Sequence, residues 1–278
     1  MALRRLLCLL DGGDSGDTVL ATALAAGRAL DAYVEVLHVQ AEPRDAMPIA
    51  AEGMTATMVD SLIEAVARDN RDRLARAESL YENQVRAAGV PEAPPEGAVP
   101  AGFAVGWRMA QGREHEIVAR EGMLYDLIVL TRHHGEGEPP VTQTLEAAIM
   151  ESGRPVLVAP RETVTTLGQR PAIAWRATVP GVHALQGAMP FLTGAAAVTV
   201  LTVGETGEGP SPGDVAHYLA YHNVRATAAC VAEAASGDVG QAILEQAAQN
   251  DADMVIMGAY AQSRLRQLIL GGVTRTVL

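Results

Sequence analysis

The stretch Asp253-Met-Val-Ile-Met-Gly258 joins an aspartate, a short apolar run and a glycine, and a second glycine pair, Gly271-Gly272, follows after a loop. A buried strand that leads through a glycine loop to a helix N-terminus presents free backbone N–H groups and the positive end of a helix dipole. This arrangement suits a phosphate group. A strand–turn–helix junction that needs glycine only for its backbone conformation gives the same pattern, so both interpretations stay open here.

The chain contains an earlier version of this stretch. Asp126-Leu-Ile-Val-Leu-Thr131 aligns with it at a spacing of 127 residues, and Leu37-His-Val39 aligns with Leu201-Thr-Val203 at a spacing of 164. Spacings of this length indicate duplicated domains and not a solenoid. We therefore predict two copies of one domain, over residues 1–160 and 170–278.

Apolar runs alternate with segments of helical periodicity in both copies, which is typical of an α/β fold with a parallel sheet covered on both faces. In the first copy we expect strands at 3–10, 33–39, 103–109, 127–131 and 155–159, and helices at 18–30, 54–88, 114–121 and 142–151. In the second copy we expect strands at 172–175, 197–203, 226–231 and 254–257, and helices at 182–192, 214–222 and 239–249. The sequence ends at Leu278 inside a helical pattern, so the final strand of the second copy is expected to be missing.

The glycine spacing resembles the signature of the universal stress protein family. Nucleotide-binding members of that family hold ATP phosphates at G-x2-G-x9-G followed by Ser or Thr, after the fourth strand. Here Gly258 and Gly271 keep two of the four places, Ala261 replaces a glycine, and Gly272 replaces the hydroxyl residue. The resemblance implies two tandem Rossmann-like domains, each built on a five-stranded parallel sheet, in a cytoplasmic stress-response protein that acts by binding.

The resemblance also implies where a ligand would lie in the second copy. The expected ligand is ATP or another adenine nucleotide, with Mg²⁺ entering only together with the nucleotide. The expected contacts are Met257, Gly258, Ala261, Gly271, Gly272, Val273, Thr274, Val203 and Arg264. A guanidinium such as that of Arg264 offers bidentate donors to phosphate, although an arginine on a solvated helix face is the preferred interpretation of this residue.

The first copy keeps a different part of the family's site. Asp11 and Val39 stand where nucleotide-binding members contact the adenosine end of the ligand. The four phosphate places are taken by Thr131, His134, Thr144 and Leu145, so none of them matches. In the second copy, Arg176 takes the place of the aspartate, and neither copy therefore holds a complete site.

Composition narrows the classes of partner and of chemistry. A net charge of −12 argues against nucleic acid and anionic membranes, and no apolar run approaches the ~18 residues of a membrane span. All 21 basic residues are arginines, which excludes a Walker-type lysine. The seven histidines form no metal-binding pattern. Cys8 and Cys230 fall in predicted strands and are expected to be buried, inert thiols.

Three function classes remain from the sequence. The first is a nucleotide-binding stress protein, the second a slow ATP hydrolase or nucleotide-dependent switch, and the third an adaptor in which both pockets are degenerate. Relatives with one copy dimerise through their fifth strands, which implies an intramolecular pseudo-dimer of the two copies here. The apolar strand at 155–159 is also an edge that invites a second chain, so we expect a homodimer.

Overall fold

The computed structural model describes residues 2–42, 55–131, 143–164, 166–204, 208–231, 238–259 and 272–277. The chain divides into two compact units, Leu3–Thr165 and Thr166–Leu278, the latter together with residues 1 and 2. We propose that these units correspond to two domains with the predicted limits 1–160 and 170–278.

The first unit has an α/β fold built on a parallel sheet with the strand order β3-β2-β1-β4-β5. Within its described residues it contains five strands: β1 (Arg5–Leu9), β2 (Tyr33–Gln40), β3 (Ala104–Gln111), β4 (Leu127–Thr131) and β5 (Val156–Ala159). The helices described are α1 (Gly16–Leu30), α2 (Ala56–Ala88), α3 (Glu114–Gly122) and α4 (Gln143–Glu151). The fold class and the order of elements predicted from the sequence are confirmed.

The second unit repeats this plan with the strand order β8-β7-β6-β9. Its described strands are β6 (Pro171–Ala174), β7 (Val198–Val203), β8 (Ala226–Val231) and β9 (Met254–Met257). Its described helices are α5 (Val179–Leu192), α6 (Pro212–Ala220), α7 (Val239–Gln249) and α8 (Gly272–Val277). In the described residues this sheet has four strands and lacks a counterpart of β5, as expected.

One aspartate anchors the central strand in each unit. The carboxylate of Asp126 accepts hydrogen bonds from the backbone N–H groups of Arg4 and Arg5 at 2.8 and 3.0 Å. The carboxylate of Asp253 accepts the same pair of bonds from the two residues before β6, at 2.7 and 2.9 Å. The aspartate that opens each repeated stretch therefore fixes the amino end of the neighbouring strand.

Equivalent backbone bonds also close the carboxyl ends of the two central strands. The Leu10 N–H donates to a β2 carbonyl at 2.9 Å, and the Trp175 N–H donates to a β7 carbonyl at 2.7 Å. The residue that follows each of these two is Asp11 in the first unit and Arg176 in the second. The register thus supports the alignment of Arg176 with Asp11.

A buried carboxylate links the strands of the first sheet. Glu35 in β2 is fully buried, and its two oxygens lie 2.8 Å from Arg5 Nη2 and 2.5 Å from Arg108 Nε. Arg108 also pairs with Glu121 of α3, and the Arg5 guanidinium lies 4.2 Å from the centre of the Tyr125 ring. Two arginines and a tyrosine therefore compensate the burial of this charge.

The two cysteines differ in their surroundings. Cys8 lies fully buried in β1, and burial raises the pKa of its thiol. Cys230 is exposed, so the prediction that both thiols are buried is wrong for this residue. The reason is topological, because β8 lies at the edge of its sheet.

No helix in the described residues is long and apolar enough to cross a membrane.

Candidate functional site

Each sheet has a point where the strand order changes direction. In the first unit it lies between β1 and β4, and in the second between β6 and β9. Ligands of open parallel sheets bind beyond the carboxyl ends of the strands at this point. Asp11 and Thr131 flank it in the first unit, and Arg176 and Gly258 flank it in the second.

The loop after β1 is closed over by helix α2 in the first unit. Asp11 accepts a hydrogen bond from Gly13 N at 3.0 Å, and its other oxygen lies 3.5 Å from Arg73 Nη1. Gly12 has φ of +75°, and a Cβ added to it would lie 2.1 Å from the Arg73 carbonyl oxygen. Arg76 Nε donates to the Gly12 carbonyl at 2.8 Å. The carboxylate expected to contact adenosine is therefore already paired inside the protein.

The phosphate place of the first unit also contains a carboxylate of the chain. Thr144, in the first turn of α4, donates from its hydroxyl to Glu114 Oε1 at 2.7 Å. A carboxylate is stabilised at a helix N-terminus because it faces the positive end of the dipole. An anionic ligand at this helix would meet the negative charge of Glu114. Leu145 and Thr131 lie in α4 and β4, and His134 lies outside the described residues.

Val39 lies buried near the carboxyl end of β2 and does not line the open groove beside it. This groove has a volume of about 410 Å³ and is lined by Gln40, Ala41, Ala67, Asn70, Arg71 and Gln111. It lies beyond β2 and β3, away from the change in strand order. Neither Asp11 nor Val39 is among the described residues that line this groove.

Gly258 in the second unit has a role in packing. A Cβ added to it would lie 2.5 Å from Gly181 N and 2.7 Å from the carbonyl carbon of Pro180. A Cβ added to Gly181 would in turn lie 2.4 Å from the Arg176 carbonyl oxygen. The two glycines let the end of β9 touch the start of α5, and this contact alone explains the glycine at 258.

Arg176 is an exposed cation at the same edge. It follows β6, and Thr178 two residues later caps α5 by accepting a hydrogen bond from Gly181 N at 3.2 Å. Among the residues that the structure describes, no carboxylate forms an ion pair with Arg176. An exposed arginine is therefore held at the change in strand order of an acidic protein.

Helix α8 packs against the start of α7. Thr276 Oγ1 lies 3.3 Å from Asp238 Oδ2, and a Cβ added to Gly240 would lie 2.6 Å from Thr276 Cβ. The carboxylate of Asp238 thus meets α8 four residues beyond Gly272, where this helix begins. In the first unit, by contrast, the carboxylate contact lies in the first turn of α4.

The predicted nucleotide contacts of the second unit are only partly placed. Those in the described residues are Val203 in β7, Met257 and Gly258 at the end of β9, and Gly272, Val273 and Thr274 in α8. Ala261, Arg264 and Gly271 lie outside the described residues. Their contacts with a ligand stay predictions.

Within the described ranges, no group of three or more His, Cys, Asp or Glu side chains is placed to hold a metal ion.

Comparisons with known proteins place this geometry in a class of tandem α/β proteins. A universal stress protein from Archaeoglobus fulgidus DSM 4304 superposes with a TM-score of 0.63 at 14% identity, over 98% of this chain and 91% of that chain. A functionally unknown protein from Pseudomonas aeruginosa PAO1 gives a TM-score of 0.55 at 15% identity, over 99% of this chain and 89% of that one. These likenesses show a shared fold along both units.

The family follows from the sequence of the second unit. Residues 183–278 match the model of the Universal stress protein family. Residues 183–278 therefore form a domain of that family, and the resemblance stated from the sequence is confirmed. A comparison with curated proteins gave no match.

Proposed function

We propose that the protein is a cytoplasmic stress-response binding protein whose second unit binds an adenine nucleotide. The ligand, ATP or a close relative, lies beyond the carboxyl ends of β6 and β9, with its phosphates towards Gly258 and the start of α8. The observation that carries this proposal is Arg176, an exposed arginine without a described ion pair at the point where such sheets bind ligands.

The contrast between the units supports the choice of the second. In the first unit, Asp11 pairs with Arg73, and Glu114 contacts the first turn of α4. Both places that a nucleotide needs there are taken by side chains of the chain itself. In the second unit, an arginine replaces Asp11, which changes the charge at this edge by two units in favour of an anion.

Because the chain carries a net negative charge, a single arginine at the site is important for binding an anionic ligand. A nucleotide approaching a protein of charge −12 is repelled at long range, so binding needs a local cation. A guanidinium offers bidentate hydrogen bonds to phosphate oxygens and stays charged at every accessible pH. We therefore assign Arg176 to the phosphate-bearing part of the ligand, in place of the adenosine contact that an aspartate would make.

Calorimetric titration with Mg·ATP tests the proposal with two matched variants. Arg176→Glu reverses a charge at the carboxyl edge, and Arg225→Glu reverses an exposed charge before β8, at the opposite edge. We expect Arg176→Glu to weaken binding by about 2 kcal/mol, roughly 30-fold in Kd, and Arg225→Glu to change it by less than about threefold. Equal losses in both variants would show a general charge effect and overturn the assignment.

A second measurement separates the binding protein from an adaptor with degenerate pockets. Protein purified without added nucleotide is denatured, and the small molecules released are identified by mass spectrometry. The proposal predicts an adenine nucleotide that is lost in Arg176→Glu and retained in Arg225→Glu. Protein that releases no nucleotide and shows no heat with Mg·ATP would contradict the proposal and favour the adaptor.

A further inference from the structure

The residue before Arg176 is held by three hydrogen bonds. Trp175 is buried, and its backbone N–H donates to the Leu201 carbonyl at 2.7 Å. Its backbone carbonyl accepts a hydrogen bond from Thr202 Oγ1 at 3.1 Å, and its indole Nε1–H donates to the Pro210 carbonyl at 2.8 Å. The polar groups of its backbone and of its side chain are therefore all paired, so the chain reaches position 176 with little conformational freedom.

The two partners outside the strand ladder are themselves fixed. Thr202 is buried in β7, and a β-branched side chain has few rotamers to choose from. Pro210 precedes Ser211, whose hydroxyl accepts a hydrogen bond from Asp214 N while its backbone N–H donates to the Asp214 carboxylate at 2.8 Å. This capping box fixes the start of α6 next to the Pro210 carbonyl. Trp175 is thus anchored to the sheet on one side and to a capped helix on the other.

The backbone of Arg176 is fixed on its far side as well. Its carbonyl accepts a hydrogen bond from the Thr178 N–H at 2.7 Å, and Gly181 packs against the same carbonyl. Gly209 approaches from the β7–α6 connection, because a Cβ added to it would lie 2.7 Å from Ala177 Cβ. An arginine side chain loses conformational entropy when it binds, and a fixed backbone reduces the volume that its guanidinium has to search.

The first unit contains the same bond with a different donor. His38 takes the place of Thr202 at the spacing of 164 residues, and Leu10 takes the place of Trp175. His38 Nδ1 lies 2.8 Å from the Leu10 carbonyl oxygen, and because a carbonyl only accepts, Nδ1 carries the proton and donates. In each unit, a buried side chain near the carboxyl end of the neighbouring strand therefore holds the carbonyl that precedes the change in strand order.

We infer that Thr202 and Trp175 are positioning residues that hold the Arg176 guanidinium where the phosphates of the ligand bind. The inference rests on the proposed function, because it concerns the same site. Thr202 acts through the Trp175 carbonyl, and Trp175 acts through its bond to the start of α6, so neither side chain has to touch the ligand. An arginine held in this way binds an anion more tightly than one on a mobile loop, because less conformational freedom is lost on binding.

A matched pair of threonines tests the role of Thr202. Thr202→Val keeps a β-branched side chain and removes the donor, whereas Thr202→Ser keeps the donor. Thr227 provides the control, because its hydroxyl donates to the Val198 carbonyl at 3.4 Å, at the amino end of β7. In calorimetric titration with Mg·ATP, we expect Thr202→Val to raise Kd about fivefold, and Thr202→Ser and Thr227→Val to change it less than about twofold.

A double-mutant cycle separates positioning from a general loss of structure. In an Arg176→Ala background, Thr202→Val should change Kd by less than about twofold, because no guanidinium is left to position. Trp175→Phe removes the indole donor and should behave in the same way, raising Kd about fivefold only when Arg176 is present. The two variants remove different anchors, so either one decides the inference if circular dichroism shows that the other is unfolded.

Two results would overturn the inference and leave the proposed function in place. In the first, Arg176→Ala weakens Mg·ATP binding but Thr202→Val and Trp175→Phe leave it unchanged. In the second, the two variants weaken binding equally with and without Arg176, which shows a structural role alone. A wild-type protein that does not bind Mg·ATP would overturn the proposed function and this inference with it.

Discussion

Replacing Glu35 by Gln tests how the first sheet holds a buried charge. Glu35 is fully buried, and its partners Arg5 and Arg108 have side chains that are 43% and 27% exposed. Removing one partner of a fully buried ion pair costs about 3–5 kcal/mol. Here both arginines regain water on one side, and Gln keeps one acceptor oxygen. We therefore expect a loss of about 2 kcal/mol in the free energy of unfolding.

The two tryptophans allow this loss to be assigned to one unit. Trp107 lies in β3 of the first unit, and Trp175 follows β6 of the second. With Trp175 replaced by Phe, the fluorescence of Trp107 follows the urea unfolding of the first unit in the full chain. Glu121→Gln is the matched control, because Glu121 is partly exposed and pairs with Arg108 from outside. Its loss should stay below about 1 kcal/mol.

The stability of the first unit should also depend on pH through Glu35. Burial raises the pKa of this carboxyl, but hydrogen bonds from Tyr125, Arg108 and Arg5 outweigh it, so its pKa lies below the ordinary range. The unfolded chain takes up this proton first, near pH ~4.3, so the stabilisation is complete above that pH and is lost as the pH falls through the lower folded pKa. Glu35→Gln should flatten this acid limb. A variant within about 0.5 kcal/mol of its parent, or a larger loss in Glu121→Gln, would refute the reasoning.

Two further predictions concern packing and thiol access. Gly258→Ala should destabilise the second unit by about 2 kcal/mol because its Cβ meets the backbone of α5, whereas Gly194→Ala, whose Cβ would lie 3.8 Å from its nearest neighbour, should cost less than about 1 kcal/mol. Urea unfolding followed by Trp175 fluorescence measures both, and equal losses would contradict the packing role. One thiol per chain, Cys230, should react with a thiol reagent in the native protein, and Cys8 only after unfolding. Two thiols that react quickly in the native state would contradict the burial of Cys8.

The order and type of the elements could be predicted from the sequence because most strands are largely apolar runs and the helices show a helical period. The strand predicted at 254–257 is observed as Met254–Met257, and the helix predicted at 239–249 as Val239–Gln249. The exposure of Cys230 was missed because strand order is not contained in local periodicity. An edge strand and a central strand of small apolar residues have the same local sequence pattern.

The site was harder to predict because its decisive contacts join distant residues. Arg73 lies 62 residues from Asp11, and no local pattern shows which side of a 33-residue helix faces the loop after β1. Likewise, Glu114 meets Thr144 only because α3 and α4 pack together. The alignment at a spacing of 165 residues did single out Arg176, although as a missing aspartate and not as a candidate cation.

Photoaffinity labelling with 8-azido-ATP tests most directly whether a nucleotide binds in the second unit. The full chain is irradiated with and without excess ATP, and the labelled peptides are mapped by mass spectrometry. The account predicts label that ATP suppresses, confined to peptides from residues 170–278 and reduced in Arg176→Glu. Label that ATP suppresses on peptides around Asp11 or Val39, or no such label anywhere, would contradict it.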